Sequence, residues 1–169
     1  MRRYQQVLTR FTPAGAGAGD VTAIVSGNRP RELMRGQRVR YAAYDGRLSD
    51  LGTATDPSFA ALISDNWTRH FTWRGIGPMP EAERAKLHAI VQTAHANGQR
   101  VRFWATPEQA PQREAVWQEL LAARVDHINT DHLDALREFL LRYDPQPTEP
   151  YVSWGDARAS GRAGGARVY

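Results

Sequence analysis

Between residues 80 and 141 strand-length apolar runs alternate with amphipathic stretches of helix length, and this alternation restricts the fold more than any other feature of the sequence. Pro80 to Asn97 reads as a helix: Glu81 and Glu83 sit in its first turn, Leu87, Ile90, Val91 and Ala94 share a face, and Asn97-Gly98 supplies the stop. Arg100 to Ala105 follows as a strand closed by Thr106-Pro107. A second helix, from about Gln112 to Ala123, buries Val116, Trp117, Leu120 and Leu121. Val125 to Asn129 is the next strand. Asp131 stands where it can cap a third helix, whose apolar stripe is Leu133, Leu136, Phe139 and Leu140.

The first half is less regular. Tyr4, Val7, Leu8 and Phe11 fall at i, i+3, i+4 and i+7, so the chain is expected to begin inside a helix that ends at Thr12-Pro13 and the Ala/Gly run. Val21 to Val25 is a β-branched run of strand length. Two further strand signals are Val39 to Tyr44, ending at Asp45-Gly46, and Ala60 to Ile63, ending at Ser64-Asp65-Asn66-Trp67. The stretch from Asp144 onward is rich in Pro, Gly and Arg and has no period. It predicts a disordered tail, 144–169, after a single domain, 1–143.

Composition narrows the function classes. The 169 residues include no cysteine, which excludes disulfides and thiolate metal sites. The formal net charge is +4, yet Lys86 is the sole lysine, and the densest basic patch, Arg29 to Arg40, meets no aromatic before Tyr41. Nucleic acid is therefore not expected as a partner. No stretch approaches the roughly 18 apolar residues of a membrane span, and the sequence leaves the compartment open.

Alternating strands and helices mean parallel β/α units, either in an open doubly wound sheet or in a barrel. An open sheet of the nucleotide-binding kind would carry a glycine fingerprint between its first strand and helix. Ser26-Gly27-Asn28 is no such pattern, and Gly15 to Gly19 precede a strand. The barrel is favoured. A whole (β/α)₈ barrel takes about 250 residues and eight strands; this chain offers about four principal strands.

Four motifs in order carry a family resemblance: Ala42-Ala43-Tyr44-Asp45-Gly46-Arg47-Leu48, Ile63-Ser64-Asp65-Asn66-Trp67, Arg102 to Pro107, and Val125 to Asp131. Together they resemble the C-terminal half of the altered-inheritance-of-mitochondria type of barrel, which is similar to the glycerophosphodiester phosphodiesterases and phosphatidylinositol-specific phospholipases C. The resemblance spans roughly Tyr4 to Leu141. It implies an α/β fold, the parallel (β/α) barrel of the phospholipase-C-like type, of which strands five to eight are present. It also implies a metal-dependent phosphoric diester hydrolase acting on a phospholipid or a glycerophosphodiester, with magnesium or calcium in the full-length family. In such families the paired histidines and the Glu-x-Asp ligands lie on the first four strands, and no residue here maps onto them. The expectation is a chain that binds no metal and is inactive alone, lacking its N-terminal half through a gene split, a late start or a fragmentary source. A standalone half-barrel used for binding or assembly is the alternative.

The residues set the candidate site. In a barrel, groups that follow a strand reach the C-terminal face where ligands bind. Asp45, Asp65 and Asp131 each follow a strand and together could chelate a cation, although a turn, a loop start and a helix cap account for them as well. Ser26, Asn28, Ser64 and Asn129 offer hydrogen bonds to a phosphate or polyol, and Trp104 ends its strand among polar neighbours. The site expected from these is Asn28, Ser64, Asp65, Trp104, Asn129 and Asp131 as ligand-binding residues, with no catalytic residue and no metal ligand. His70 lies in a loop that can approach that face. His88 and His95 are expected as solvated residues of an outer helix, and His127 as a packed strand residue. A half-barrel would leave two open strand edges and a bare inner face, so the missing half or a second copy is the expected partner.

Overall fold

The structure, a computed structural model, describes residues 2–52, 56 and 58–154. It has a mixed α/β fold. A hairpin of β1 (Arg10–Thr12) and β2 (Gly15–Gly17) precedes a parallel sheet of five strands: β3 (Ile24–Val25), β4 (Ala43–Gly46), β5 (Leu62–Asn66), β6 (Arg100–Trp104) and β7 (His127–Ile128). The helices are α1 (Arg31–Arg35), α2 (Trp67–His70), α3 (Glu81–Ala96), α4 (Gln112–Ala122) and α5 (Leu133–Tyr143). Neighbours in the sheet are neighbours in the chain, so the order runs β3-β4-β5-β6-β7 without the reversal that marks a doubly wound sheet.

The N-terminal segment is not a helix beyond a single 3₁₀ turn at Arg2–Tyr4. Thr9 N–H donates to Val21 O at 2.8 Å, Val21 N–H to Val7 O at 2.9 Å, and Phe11 exchanges both backbone bonds with Arg40. Four apolar residues at helical spacing are a weak local preference. Here strand partners at Val21 and Arg40 satisfy the backbone instead, and Phe11 is buried. The Ala/Gly run continues the hairpin, with Gly15 at φ 125° in its turn.

The sequence placed Asp45-Gly46 and Ser64-Asp65-Asn66 beyond their strands, whereas the structure holds them inside β4 and β5. Each of these aspartates has side-chain or backbone donors, which offset part of the usual cost of a buried carboxylate in a strand. The expected capping role of Asp131 is also replaced: α5 starts at Leu133, and the Thr130 hydroxyl accepts from His132 N–H at 3.1 Å. The second helix, α4, ends with Arg124 in the left-handed region at φ 62°, where Val125 N–H returns to Leu120 O at 2.9 Å.

Alternation along β6 divides the sheet into two faces. Val101 and Phe103 meet Leu87, Ile90, Val91 and Ala94 of α3 and Val116 and Leu120 of α4 in the main core. Trp67 stacks on Phe71 at 4.1 Å, and both meet the Phe103 ring edge-on at 5.6 Å. Arg100, Arg102 and Trp104 lie on the opposite, inner face, in register with Leu62, Ser64 and Asn66 of β5. That face is not bare. Phe11 and Ala16 of the hairpin, together with Trp154, cluster over Ile24, Ala43 and Ala61. Arg100 Nε donates to Val152 O at 2.8 Å. Ordered contacts therefore continue past 143 through 151–154, while the remainder of the expected tail, 155–169, lies outside the described residues.

Candidate functional site

A belt of polar groups crosses the inner face from the C-terminal ends of β3 and β4 to the middle of β5 and β6. The Ser26 hydroxyl donates to Asp45 Oδ2 at 2.6 Å, and Arg47 Nη1 reaches the same oxygen at 3.0 Å. Arg47 also donates to the backbone oxygens of Gly46 and Ser64, both at 3.1 Å. Arg102 Nη2 donates to Ser64 Oγ at 3.2 Å, and Arg29 donates to Asp45 O. Asp45 and Ser64 are fully buried. Arg47 alone reaches the Asp45 carboxylate, while Arg29 binds its backbone oxygen and Arg102 the Ser64 hydroxyl, so the belt holds three guanidiniums and one carboxylate, a charge balance that favours an anion. Two atoms of the belt, Asp45 Oδ1 and Arg102 Nε, are buried without a partner among the described residues.

Register separates Ser64 from its neighbour. Asp65 pairs with Phe103, so it points to the helix side, where Oδ1 accepts from Asn66 N–H at 2.8 Å and Oδ2 from Leu48 N–H at 3.2 Å. His70 Nε2 stands 3.2 Å from Oδ2. Burial pushes the Asp65 carboxyl up, but the two backbone donors and His70 together outweigh it and hold the group below the usual carboxylate range. This carboxylate fastens two loops to the end of β5. His70 is thereby engaged on the helix side, away from the belt.

The other expected site residues divide. Trp104 is on the inner face, partly exposed, level with Asn66, whose side chain caps α2 through Thr68 N–H at 2.8 Å. Asn129 follows β7, and its carbonyl accepts from the Thr106 hydroxyl at 3.3 Å. Asn28 is exposed in the loop after β3. Asp131 is exposed and meets Glu108 Oε2 through its backbone N–H at 3.4 Å. Of the six, Ser64 belongs to the belt and Trp104 shares its face, Asp65 faces the helix side, and Asn28, Asn129 and Asp131 make no side-chain hydrogen bond to the belt among the described residues. Arg47 and Arg102 escaped the sequence reading. The pattern Arg100-Val101-Arg102-Phe103-Trp104 contained the signal, because period-two alternation puts both arginines and Trp104 on one side.

Two histidines have definite partners. His95 is not simply solvated: its Nε2 lies 2.9 Å from Asp126 Oδ2, which also accepts Val101 N–H at 2.8 Å. His127, beside Trp154, is held below the ordinary imidazole range by burial first and then by Arg100, with Asp126 acting in the opposite sense. A divalent cation does not fit these residues. Among the described residues no three His, Asp or Glu side chains gather to hold one, Asp45 Oδ2 is already bonded to a hydroxyl and a guanidinium, and Asp65 points to the helix side.

Residues 100–134, from the start of β6 to the first turn of α5, match the sequence model of the glycerophosphoryl diester phosphodiesterase family. The likeness shown is thus to the phospholipase-C-like phosphodiesterases. A particular relative is Altered inheritance of mitochondria protein 6 of Eremothecium gossypii, 30% identical over 141 residues. That match covers 70% of this chain and 34% of the relative, so the chain spans about a third of the length of the curated protein it resembles. No solved structure matches the chain significantly.

Proposed function

We propose that this chain, whose parallel sheet has five strands against the about four expected, forms the C-terminal part of a phospholipase-C-like (β/α)₈ barrel and supplies the phosphate-holding wall of a phosphoric diester hydrolase. The substrate class is a phospholipid or a glycerophosphodiester. The observation that carries this is the Ser26–Asp45–Arg47–Ser64–Arg102 belt, which starts at the C-terminal ends of β3 and β4 and crosses sequentially ordered parallel strands. In barrels that end of the sheet is where ligands bind.

Cleaving a phosphodiester requires a group that takes a proton from the nucleophile, another that protonates the leaving oxygen, and a cation to bear developing charge. This chain's residues serve a different part of the task. Arg102 and Arg47 present N–H donors to non-bridging phosphate oxygens, and buried Ser64 and Asp45 fix the direction of those guanidiniums. Trp104 offers an apolar wall beside them. The proton-transfer pair and the magnesium or calcium ion belong to the N-terminal half in this scheme, so the chain alone is inactive.

Calorimetric titration with sn-glycerol 3-phosphate and with inorganic phosphate tests the wall. Saturable binding that Arg102→Leu abolishes is expected. Absence of binding by the unaltered chain would sink the proposal. The packing of Trp154 and Phe11 on the inner face favours a second reading, a standalone half-barrel used for binding or assembly. In that case phosphate binding persists with no partner chain and no activity is ever restored.

A further inference from the structure

The segment from Asn28 to Arg40 holds five arginines against one glutamate, a surplus of +4 that equals the formal net charge of the whole chain. Its aromatic partners come from elsewhere in the sequence. Tyr44 of β4 stacks on Phe59 at 5.1 Å, and four guanidiniums lie over this pair: Arg29 and Arg31 over Tyr44 at 4.8 and 5.3 Å, Arg35 and Arg40 over Phe59 at 5.4 and 5.3 Å. The negative ring faces offset part of the repulsion among the arginines and hold them in place. Arg31 is paired with Asp50 at 2.8 Å and Arg40 is buried, whereas Arg35 and Arg38 are exposed and form no ion pair among the described residues. Apolar side chains stand among them: Met34 anchors α1 in the core, and on the outside Leu33 is 68% exposed and Val39 43% exposed.

We propose that this surface, Leu33 and Val39 flanked by Arg35 and Arg38, docks the protein on an anionic phospholipid bilayer. The Arg35 guanidinium, held over Phe59, and the exposed Arg38 meet the headgroup charge, and the two apolar side chains enter the boundary beneath it. Stacking of single-stranded bases would use aromatic faces, and Tyr44 and Phe59 are 5% and 4% exposed, their faces already covered by arginine. The docking is independent of the chemistry proposed for the strand ends, because none of these four residues belongs to the belt.

Co-sedimentation of the full chain with phosphatidylcholine–phosphatidylserine vesicles, against phosphatidylcholine alone, tests the surface. Binding to the anionic vesicles is expected, weakened by salt and reduced more than about tenfold in R35E/R38E, since each basic residue near such a surface contributes about 1 kcal/mol, roughly fivefold. Leu33→Ser, which removes an exposed side chain, should weaken binding a few-fold while the melting temperature stays unchanged. No binding to anionic vesicles would overturn the proposal, as would equal binding by R35E/R38E with its fold intact. Salt-sensitive binding to a mixed-sequence RNA without vesicle binding would assign the surface to nucleic acid and overturn it equally.

Discussion

The Arg100 guanidinium lies 3.9 Å from the centre of the Trp154 ring, so a residue at the start of a central strand is capped by one more than fifty positions later. Nε of the same arginine holds Val152 O, and burial keeps the guanidinium below its ordinary pKa range, although Asp126 pulls it up. The contact covers part of the face that also carries the Asp45–Arg102 belt.

Trp154→Ala removes that cap. A loss of about 1–3 kcal/mol is expected from urea denaturation at neutral pH, accompanied by increased binding of a hydrophobic dye. An unchanged midpoint would show that the Trp154 ring contributes nothing to the fold.

Deleting 151–169 extends the same test to association. With Phe11, Ala16 and Trp154 on the inner face, the intact chain has less reason to pair through it than a bare half-sheet. Light scattering after size exclusion should show the deletion variant self-associating at concentrations where the intact chain is monomeric. Equal behaviour of the two would mean that association, if any, uses another surface.

Asp65 predicts a pH dependence. Its folded pKa is depressed, so its stabilising effect is present above the unfolded value and is lost as pH falls through the folded one. Asp65→Asn is expected to cost about 1–3 kcal/mol at pH 7, because Leu48 N–H and His70 lose a charged acceptor. The gap between variant and parent should narrow steadily below about pH 4. A gap independent of pH would rule out the ionised clamp.

The isolated chain should not turn over bis-(p-nitrophenyl) phosphate with magnesium, calcium or manganese, because no three His, Asp or Glu side chains gather among the described residues to hold the ion that bears the developing charge. Metal-dependent hydrolysis that co-purifies with the chain and disappears in His70→Ala would contradict this.

Gly75 stands at φ 80°, and a Cβ there would lie 2.3 Å from Gln112 O. Gly75→Ala therefore strains the backbone and pushes the loop off the start of α4. A thermal melt should show a clear drop, roughly 1–3 kcal/mol of stability.

What the sequence revealed follows from where local and tertiary preferences agree. In α3 the apolar face, the acidic first turn and the Asn97-Gly98 stop all point the same way, and the helix occupies Glu81–Ala96 as expected. At Tyr4 to Phe11 they disagree, because helical spacing competes with backbone partners at Val21 and Arg40 that no local pattern reveals. The site was half legible for a related reason. Ser64 and Asp65 both read as polar residues after a strand, and only the register with Arg102 and Phe103 shows that one enters the belt and the other clamps loops behind the sheet. Arg102 was hidden by its type, since a long cation in a strand reads as an exposed residue until its Ser64 partner is seen.

The strict order of the sheet has a consequence in time. Each strand from β4 to β7 pairs with the one synthesised just before it, so the sheet can grow outward from β3 as the chain emerges from the ribosome. Trp154 belongs to no such sequence: it must wait until all five strands are made, and at about 5–20 residues per second the interval after β7 lasts some seconds. For that interval Arg100 and its neighbours stand open to water and to other chains. The nascent protein is most vulnerable to association just before its last described turn closes, and a chaperone that recognises exposed apolar surface would find its opportunity there.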